Sequence, residues 1–446
     1  MPIIMVIHDC RWLLIPAPRT KMVSFSRQRH EGIFNTRGKL CIPMSFTYKT
    51  IDDVDLDGKR VLLRVDMNSP VDLEKHELRD DQRIRAIVPT VKALASSKLV
   101  VIAHQSRPGK KDFTSLEMHA DRLDSYVDQD VKFVEDIYGE KAIAAIENLS
   151  RGEVLVLDNV RKFDKENESM SPEEAAGTEM VKTLAPMFDY FVNDAFGAAH
   201  RAQPSIIGWP TLLAGPLVEK ELKTLKKLMD NPEKPMVMLV GGAKAKSKYK
   251  ASKYNIENDK VDKVLVAGLT AVLLAEASGQ SLGDANRKLV EKELDSVGDD
   301  AKAFMASNAG KVLLPLDYAY EKDGKRMEAT AGEIGSLGQS QGDIGAKTIE
   351  LFKKEIMAAK TIVANGPPGI FEKKIFQKGT HELITAMAIS SGFTVIGGGE
   401  MGTAAEEAGK ASKISFISTG GGAMLQFLSG KELPLLVALE AGAKKL

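Results

Sequence analysis

From Thr47 onward the chain alternates two kinds of pattern. Short apolar runs rich in β-branched residues, VLLRVD (61–66), LVVIAH (99–104), VLVLD (154–158) and YFVND (190–194), are separated by stretches of helical spacing. A second series follows: MVMLVGG (236–242), KVLVAG (263–268), KVLLPLD (311–317), TIVANG (361–366), FTVIGGG (393–399) and ISFISTGGG (414–422). Runs this short, bounded by turn residues, predict strands buried on both faces, as in parallel sheets. Their alternation with helices predicts an α/β fold of two lobes, each a parallel sheet flanked by helices. Between the series Leu217, Val218, Leu222, Leu225 and Met229 recur at helical spacing, up to Asn231-Pro232 and Pro235. That predicts a long interdomain helix and hinge over 215–235. The expected divisions are an extension over 1–46, one lobe over 47–214, a second over 236–430, and a segment 431–446 returning to the first lobe.

Residues 1–46 carry no sustained period, and both cysteines, Cys10 and Cys41, lie within them. No disulfide scaffold or cysteine-based zinc site is therefore possible in the remaining chain. The 61 basic and 61 acidic side chains cancel, which argues against a polybasic nucleic-acid or membrane-surface binder. No apolar run approaches the roughly 18–20 residues that span a bilayer. Asp9 and Arg11 interrupt the most apolar stretch, which also lacks the basic start of a secretory signal. A cytoplasmic protein is expected, acting on small molecules, with no nucleic acid or membrane partner; a monomer is expected, a dimer being the alternative.

Ligands of open α/β sheets bind beyond the carboxyl ends of the strands. In the first lobe those ends read RVDMNSP (64–70), AHQSRP (103–108), LDNVRKF (157–163) and VNDAFGAAHR (192–201), and QRIR (82–85) adds Arg83. Repeated arginine and histidine at strand ends describe a pocket for a small anion. Asp66 and Asn68 could bond hydroxyl groups of the same ligand. In the second lobe the ends are glycine-rich: GGAK (241–244), NGPPG (365–369), GGGE (397–400) and STGGGA (418–423). Glycine lets the backbone approach a ligand, and a following helix offers free N–H groups to phosphate. Four such turns point to a nucleotide. Gly397, Gly399 and Gly402 also satisfy a dinucleotide fingerprint, but the acidic residue that motif calls for about 20 positions later is missing. P-loop and protein-kinase signatures are absent too.

These segments, with DIGAKT (343–348) and NGPPGIFE (365–372), resemble phosphoglycerate kinases in order and approximate spacing, from about residue 47 to the C-terminus. The cysteine-free body and short interdomain segments look closer to an archaeal member. The resemblance implies two Rossmann-like, hinge-bending lobes and reversible phosphoryl transfer between 1,3-bisphosphoglycerate and ADP, giving 3-phosphoglycerate and ATP, with Mg2+. It implies that Asp66, Asn68, Arg83, His104, Arg107, Arg161 and Arg201 hold 3-phosphoglycerate. Lys244, Lys248, Asn365, Glu372 and the loop Gly397, Gly398, Gly399, Glu400 and Met401 would hold the nucleotide. Arg83 and Lys244, with backbone N–H groups of Gly420, Gly421 and Gly422, are the expected catalytic groups.

The chain departs from the family at several points. Glu400-Met401 stand where Asp-Thr is usual, leaving Glu400 as an expected but longer-reaching metal ligand. Ser106 replaces a glycine, which predicts a backbone less able to adopt positive φ. GGAKAKSK lacks the aspartate that often precedes the second lysine. Residues 1–46 have no counterpart, so the extension is expected to be disordered or upstream over-translation, with Met44 as the initiator. A non-catalytic sensor of sugar phosphates is the rival reading.

Overall fold

In a computed structural model the described residues are 46–446, together with the strands Ile3–His8, Arg11–Pro16, Ile33–Phe34 and Leu40–Cys41. Met1–Pro43 and Met44–Leu446 form two compact units. In the first, Ile3–His8 pairs antiparallel with Arg11–Pro16, and Ile33–Phe34 with Leu40–Cys41. The expectation that 1–46 are disordered or over-translated bears mainly on positions outside the described residues.

The second unit holds two six-stranded parallel sheets. In the first sheet the order is Leu212–Ala214, Tyr190–Asp194, Arg60–Val65, Lys98–Ile102, Val154–Leu157 and Val131–Val134. Four of these are the apolar runs read from the sequence. The two edge strands are short, and Val131–Val134 alternates with the exposed Lys132 instead of running apolar throughout, so neither gives the signal of a fully buried strand. In the second sheet the order is Val312–Leu313, Lys263–Val266, Met236–Val240, Thr361–Asn365, Phe393–Gly397 and Phe416–Ser418. All six correspond to the second series of runs. Two hairpins were not anticipated: Val71–Asp72 pairs antiparallel with Glu77–Leu78, and Asp317–Lys322 with Lys325–Thr330 through Asp323-Gly324, both at positive φ. That is the turn an Asp-Gly dipeptide favours between strands.

A helix at Pro216–Asp230 follows the first sheet and buries Val218, Leu222, Leu225 and Met229. Proline at its first position suits a helix start, where the missing N–H has no partner anyway. One buried apolar cluster runs from Leu62 and Val100 through Val218 and Leu225 to Met238 and Val240, and includes Phe427 and Leu439. The final helix, Pro434–Ala443, lies on strand Leu212–Ala214; a Cβ at Gly442 would stand 2.6 Å from the Leu212 nitrogen. Among the described residues no helix is long and apolar enough to cross a membrane.

Candidate active site

Arg83 sits in the first turn of helix Gln82–Ala93, whose buried face, Ile84, Ile87 and Val91, recurs at helical spacing against the first sheet. Its guanidinium donates to Asp66 Oδ1 at 3.1 Å and to the Asn68 carbonyl at 2.7 Å. Asp66 and Asn68 follow strand Arg60–Val65, so the strand end and the helix start meet at this arginine. Gly197 makes room for Asp66, because a Cβ there would overlap Asp66 Oδ2 and approach the Thr419 carbonyl at 3.5 Å. VNDAFG of one lobe thereby meets STGGG of the other.

Arg107, Arg161, Arg201 and Lys244 line one cavity of about 840 Å3 together with Asn68 and His104. His104, 2% exposed, receives Arg64 at Nδ1 and Arg201 at Nε2, both at 3.1 Å. Guanidinium groups only donate, and a neutral imidazole accepts at one nitrogen, so one arginine here needs another acceptor. Arg161 Nε is buried without a partner. Burial, then the neighbouring Arg64 and Arg161, push His104 well below its usual pKa. Burial and the charges of Arg201 and Arg64 lower Arg161 to about 10. The pocket therefore has an excess of donors and positive charge, which an anion would satisfy. Arg64 itself is 1% exposed and bonded to Ser205 Oγ at 2.9 Å, so it braces His104 from behind.

Ser106 takes φ +53°, contrary to the expectation that serine would resist the left-handed region. Its hydroxyl bonds Asp112, a contact the sequence reading did not foresee. Gln105 and Asn159, also unanticipated, join the loops: Gln105 donates from Nε2 to the Ser69 carbonyl at 2.9 Å and accepts from Ser69 N–H at 3.0 Å. Asn159 Nδ2 donates to the Gln105 carbonyl at 2.8 Å. The available signal was position, since both lie just past buried strands.

In the second lobe the glycine turns pack on each other. A Cβ at Gly421 would lie 2.6 Å from the nitrogen of Gly398, which itself holds φ +109°. Gly421 and Gly422 open helix Gly421–Leu428, so their N–H groups have no partner within the helix. Lys244 is exposed and faces the arginine cavity. Lys248 is buried and donates to the Gly241 carbonyl; burial lowers its pKa to about 8, with Glu400 acting in the opposite sense. Asn365, also buried, donates from Nδ2 to the Gly421 carbonyl at 3.0 Å. Both therefore tie turns together. Met401 is 1% exposed within the apolar core, which leaves only its backbone for a ligand. Glu400 is exposed on the first turn of helix Gly399–Glu407. Glu372 is exposed on the loop after strand Thr361–Asn365 and lines neither this cavity nor the smaller one beside Arg83. Among the described residues no cluster of three or more His, Cys, Asp or Glu could hold a metal.

The sequence profile described as phosphoglycerate kinase matches residues 51–431. The phosphoglycerate kinase of Methanococcus maripaludis is 42% identical over 410 residues, covering 89% of this chain and 99% of that protein. That of Methanothermus fervidus is 42% identical over 406 residues, covering 90% and 98%. The crystal structure of phosphoglycerate kinase from Pyrococcus horikoshii superposes with a TM-score of 0.83 at 36% identity, over 89% of this chain and 100% of that one. With a matching profile, relatives aligned over nearly their full length and a matching fold, the chain belongs to the phosphoglycerate kinase family.

Proposed function

We propose that the arginine cavity of the first lobe holds 3-phosphoglycerate, that the glycine turns of the second hold ATP or ADP, and that Arg83 and Lys244 serve the transfer between them. The chain catalyses its family's glycolytic reaction, reversible phosphoryl transfer between 1,3-bisphosphoglycerate and ADP to give 3-phosphoglycerate and ATP. In the ATP-consuming direction the nucleophile is the substrate carboxylate, ionised at neutral pH because such groups titrate near pH 4. A carboxylate oxygen bonds to the γ-phosphorus as the bond to the β–γ bridging oxygen breaks, so no proton need be removed. Catalysis then rests on positioning and on neutralising the transferring group.

Arg107, Arg161, Arg201 and His104 are assigned to the anionic ends of 3-phosphoglycerate, and Asp66 and Asn68 to its hydroxyl. Arg83, Lys244 and the N–H groups of Gly420–Gly422 are assigned to the equatorial oxygens. Lys248, Asn365 and Gly397–Met401 shape the nucleotide loops, and Glu372 is assigned to the ribose. Magnesium usually takes one or two carboxylates plus phosphate oxygens and water, and the exposed Glu400 fits that modest demand. When bound, the ion neutralises phosphate charge. With it goes the expectation of a cytoplasmic enzyme acting on small molecules as a monomer, a dimer being the alternative.

The observation that carries the reading is the convergence of three arginines and Lys244, drawn from both lobes, on one cavity. The test is purified protein with ATP, magnesium and 3-phosphoglycerate, trapping the acyl phosphate. Product is expected only with all components present. No product with either magnesium or manganese would leave a sugar-phosphate sensor as the better account.

A further inference from the structure

We propose that Asp112 is a positioning residue for 3-phosphoglycerate binding: by holding the Ser106 hydroxyl it stabilises a left-handed backbone from which Ser106 fixes both Asn68 and Arg161. The proposal rests on the assignment of those two side chains to the substrate.

Three contacts meet at Ser106. Its N–H donates to Asn68 Oδ1 at 2.6 Å. Its carbonyl accepts from the Arg161 guanidinium. Its hydroxyl donates to Asp112 Oδ1 at 2.6 Å. Because an N–H only donates, Asn68 must turn its oxygen toward Ser106 and its amide donor elsewhere, and Asn68 lines the cavity. The torsions of Ser106 set the angle between its N–H and C=O, so both partners are met only near the observed conformation. That conformation, φ +53°, is one a side-chain-bearing residue resists and glycine does not. Serine there needs a compensating contact, and Asp112 supplies it. The Asp112 carbonyl also accepts from Gln105 Nε2 at 3.1 Å, which anchors the loop that carries the carboxylate. Arg107, the next residue, lines the cavity.

The contact is a local substitute for glycine, and that makes it separable from direct substrate contact. D112A and S106A each delete it while keeping a Cβ at residue 106, and each should weaken 3-phosphoglycerate binding about fivefold, the scale of one lost hydrogen bond. Kd by calorimetry and KM should agree, and the KM for ATP should stay within about twofold. D112N, whose oxygen still accepts, should bind as wild type does. S106G needs no support, so it should bind more tightly than S106A, and D112A added to S106G should change nothing further. Should D112A not fold, the contrast of S106A with S106G decides alone. Equal weakening by S106A and S106G would assign the hydroxyl to the substrate itself and overturn the proposal. So would a D112A protein that binds normally, or a D112A effect that persists in S106G. Wild-type protein that fails to bind 3-phosphoglycerate would sink the functional reading as well, a result distinct from each of these.

Discussion

Arg83 reaches Asp66 and Asn68 behind it and, in front, shares a gap of about 210 Å3 with Gly398 and Gly399 of the other lobe. An arginine held this way costs no reorganisation when charge develops beside it, which is where a fixed donor acts most strongly. R83A should therefore lower kcat by roughly a hundredfold or more, with a smaller change in KM. Steady-state kinetics with each substrate varied would check this, and a rise in KM at constant kcat would remove Arg83 from the transition state. The adjacent glycines differ from each other. A Cβ at Gly421 meets the Gly398 backbone, whereas one at Gly422 meets only the His200 ring at 3.5 Å, an ordinary contact. G421A should push the two turns apart, lowering Tm and raising the KM for ATP, while G422A should leave Tm within about 2 °C. Thermal melts of both variants distinguish them, and equal Tm values would refute the close approach.

At the scale of elements, helix Pro216–Asp230 touches both halves of the site through buried carboxylates. Asp194, at the end of its strand, accepts from Val218 N–H at 2.9 Å and from the Thr90 hydroxyl on the helix that carries Arg83. One turn past Val218, Glu221 accepts from Thr419 N–H at 2.7 Å and from its hydroxyl at 2.9 Å. Burial raises Glu221 to about 7, against about 4.3 in an unfolded chain. Between those values the folded protein holds a proton that the unfolded chain has lost, so this group's contribution to stability declines as pH rises from about 4 to about 7. Glutamine keeps an oxygen for Thr419 and cannot ionise. E221Q should therefore gain on wild type by up to about 3 kcal/mol between pH 4.5 and pH 8. Melting curves at the two pH values check it; a constant difference in Tm would mean that Glu221 ionises normally.

These links mark the boundary of what the sequence made legible. Buried parallel strands and their glycine or arginine ends are local patterns, so both sheets and most of the cavity's cations could be read directly. Whether a strand-end arginine faces the ligand or braces its neighbour depends on tertiary packing, and Arg64, buried behind His104, was indistinguishable in sequence from Arg161. Lys248 and Met401 fall under the same limit: their motif gives their chain position, while burial among the turns decides what they touch. Ser106 differs in kind, because its conformation depends on a partner six residues away on the same loop, beyond any single-residue propensity.

For the molecule as a whole, the chemistry is divided while the packing is continuous. The arginine groups belong to the first sheet and the glycine turns to the second, yet one apolar cluster passes through the joining helix and includes residues of the last two helices. On the proposed assignment a nucleotide would enter between the lobes, and transfer would then exclude water and align carboxylate with phosphorus. On the proposed reading a bend at the joining helix would reconcile these demands, and Asp194 and Glu221 would carry its position to each half of the site. Under the proposed assignment neither ligand alone supplies contacts across the whole cleft: 3-phosphoglycerate would leave the glycine turns bare, and the nucleotide would leave the arginine cavity unsatisfied. A ligand shifts a conformational equilibrium only by its differential affinity for the two states, so closure should be complete only with both bound. In small-angle X-ray scattering the radius of gyration should fall furthest with 3-phosphoglycerate and a non-hydrolysable ATP analogue together, and less with either alone. R83A should blunt that joint effect, because it removes a cation that faces the opposite lobe. Identical scattering from the free, singly bound and doubly bound protein would show that the lobes do not move, and the transfer would have to occur in the cleft as it stands.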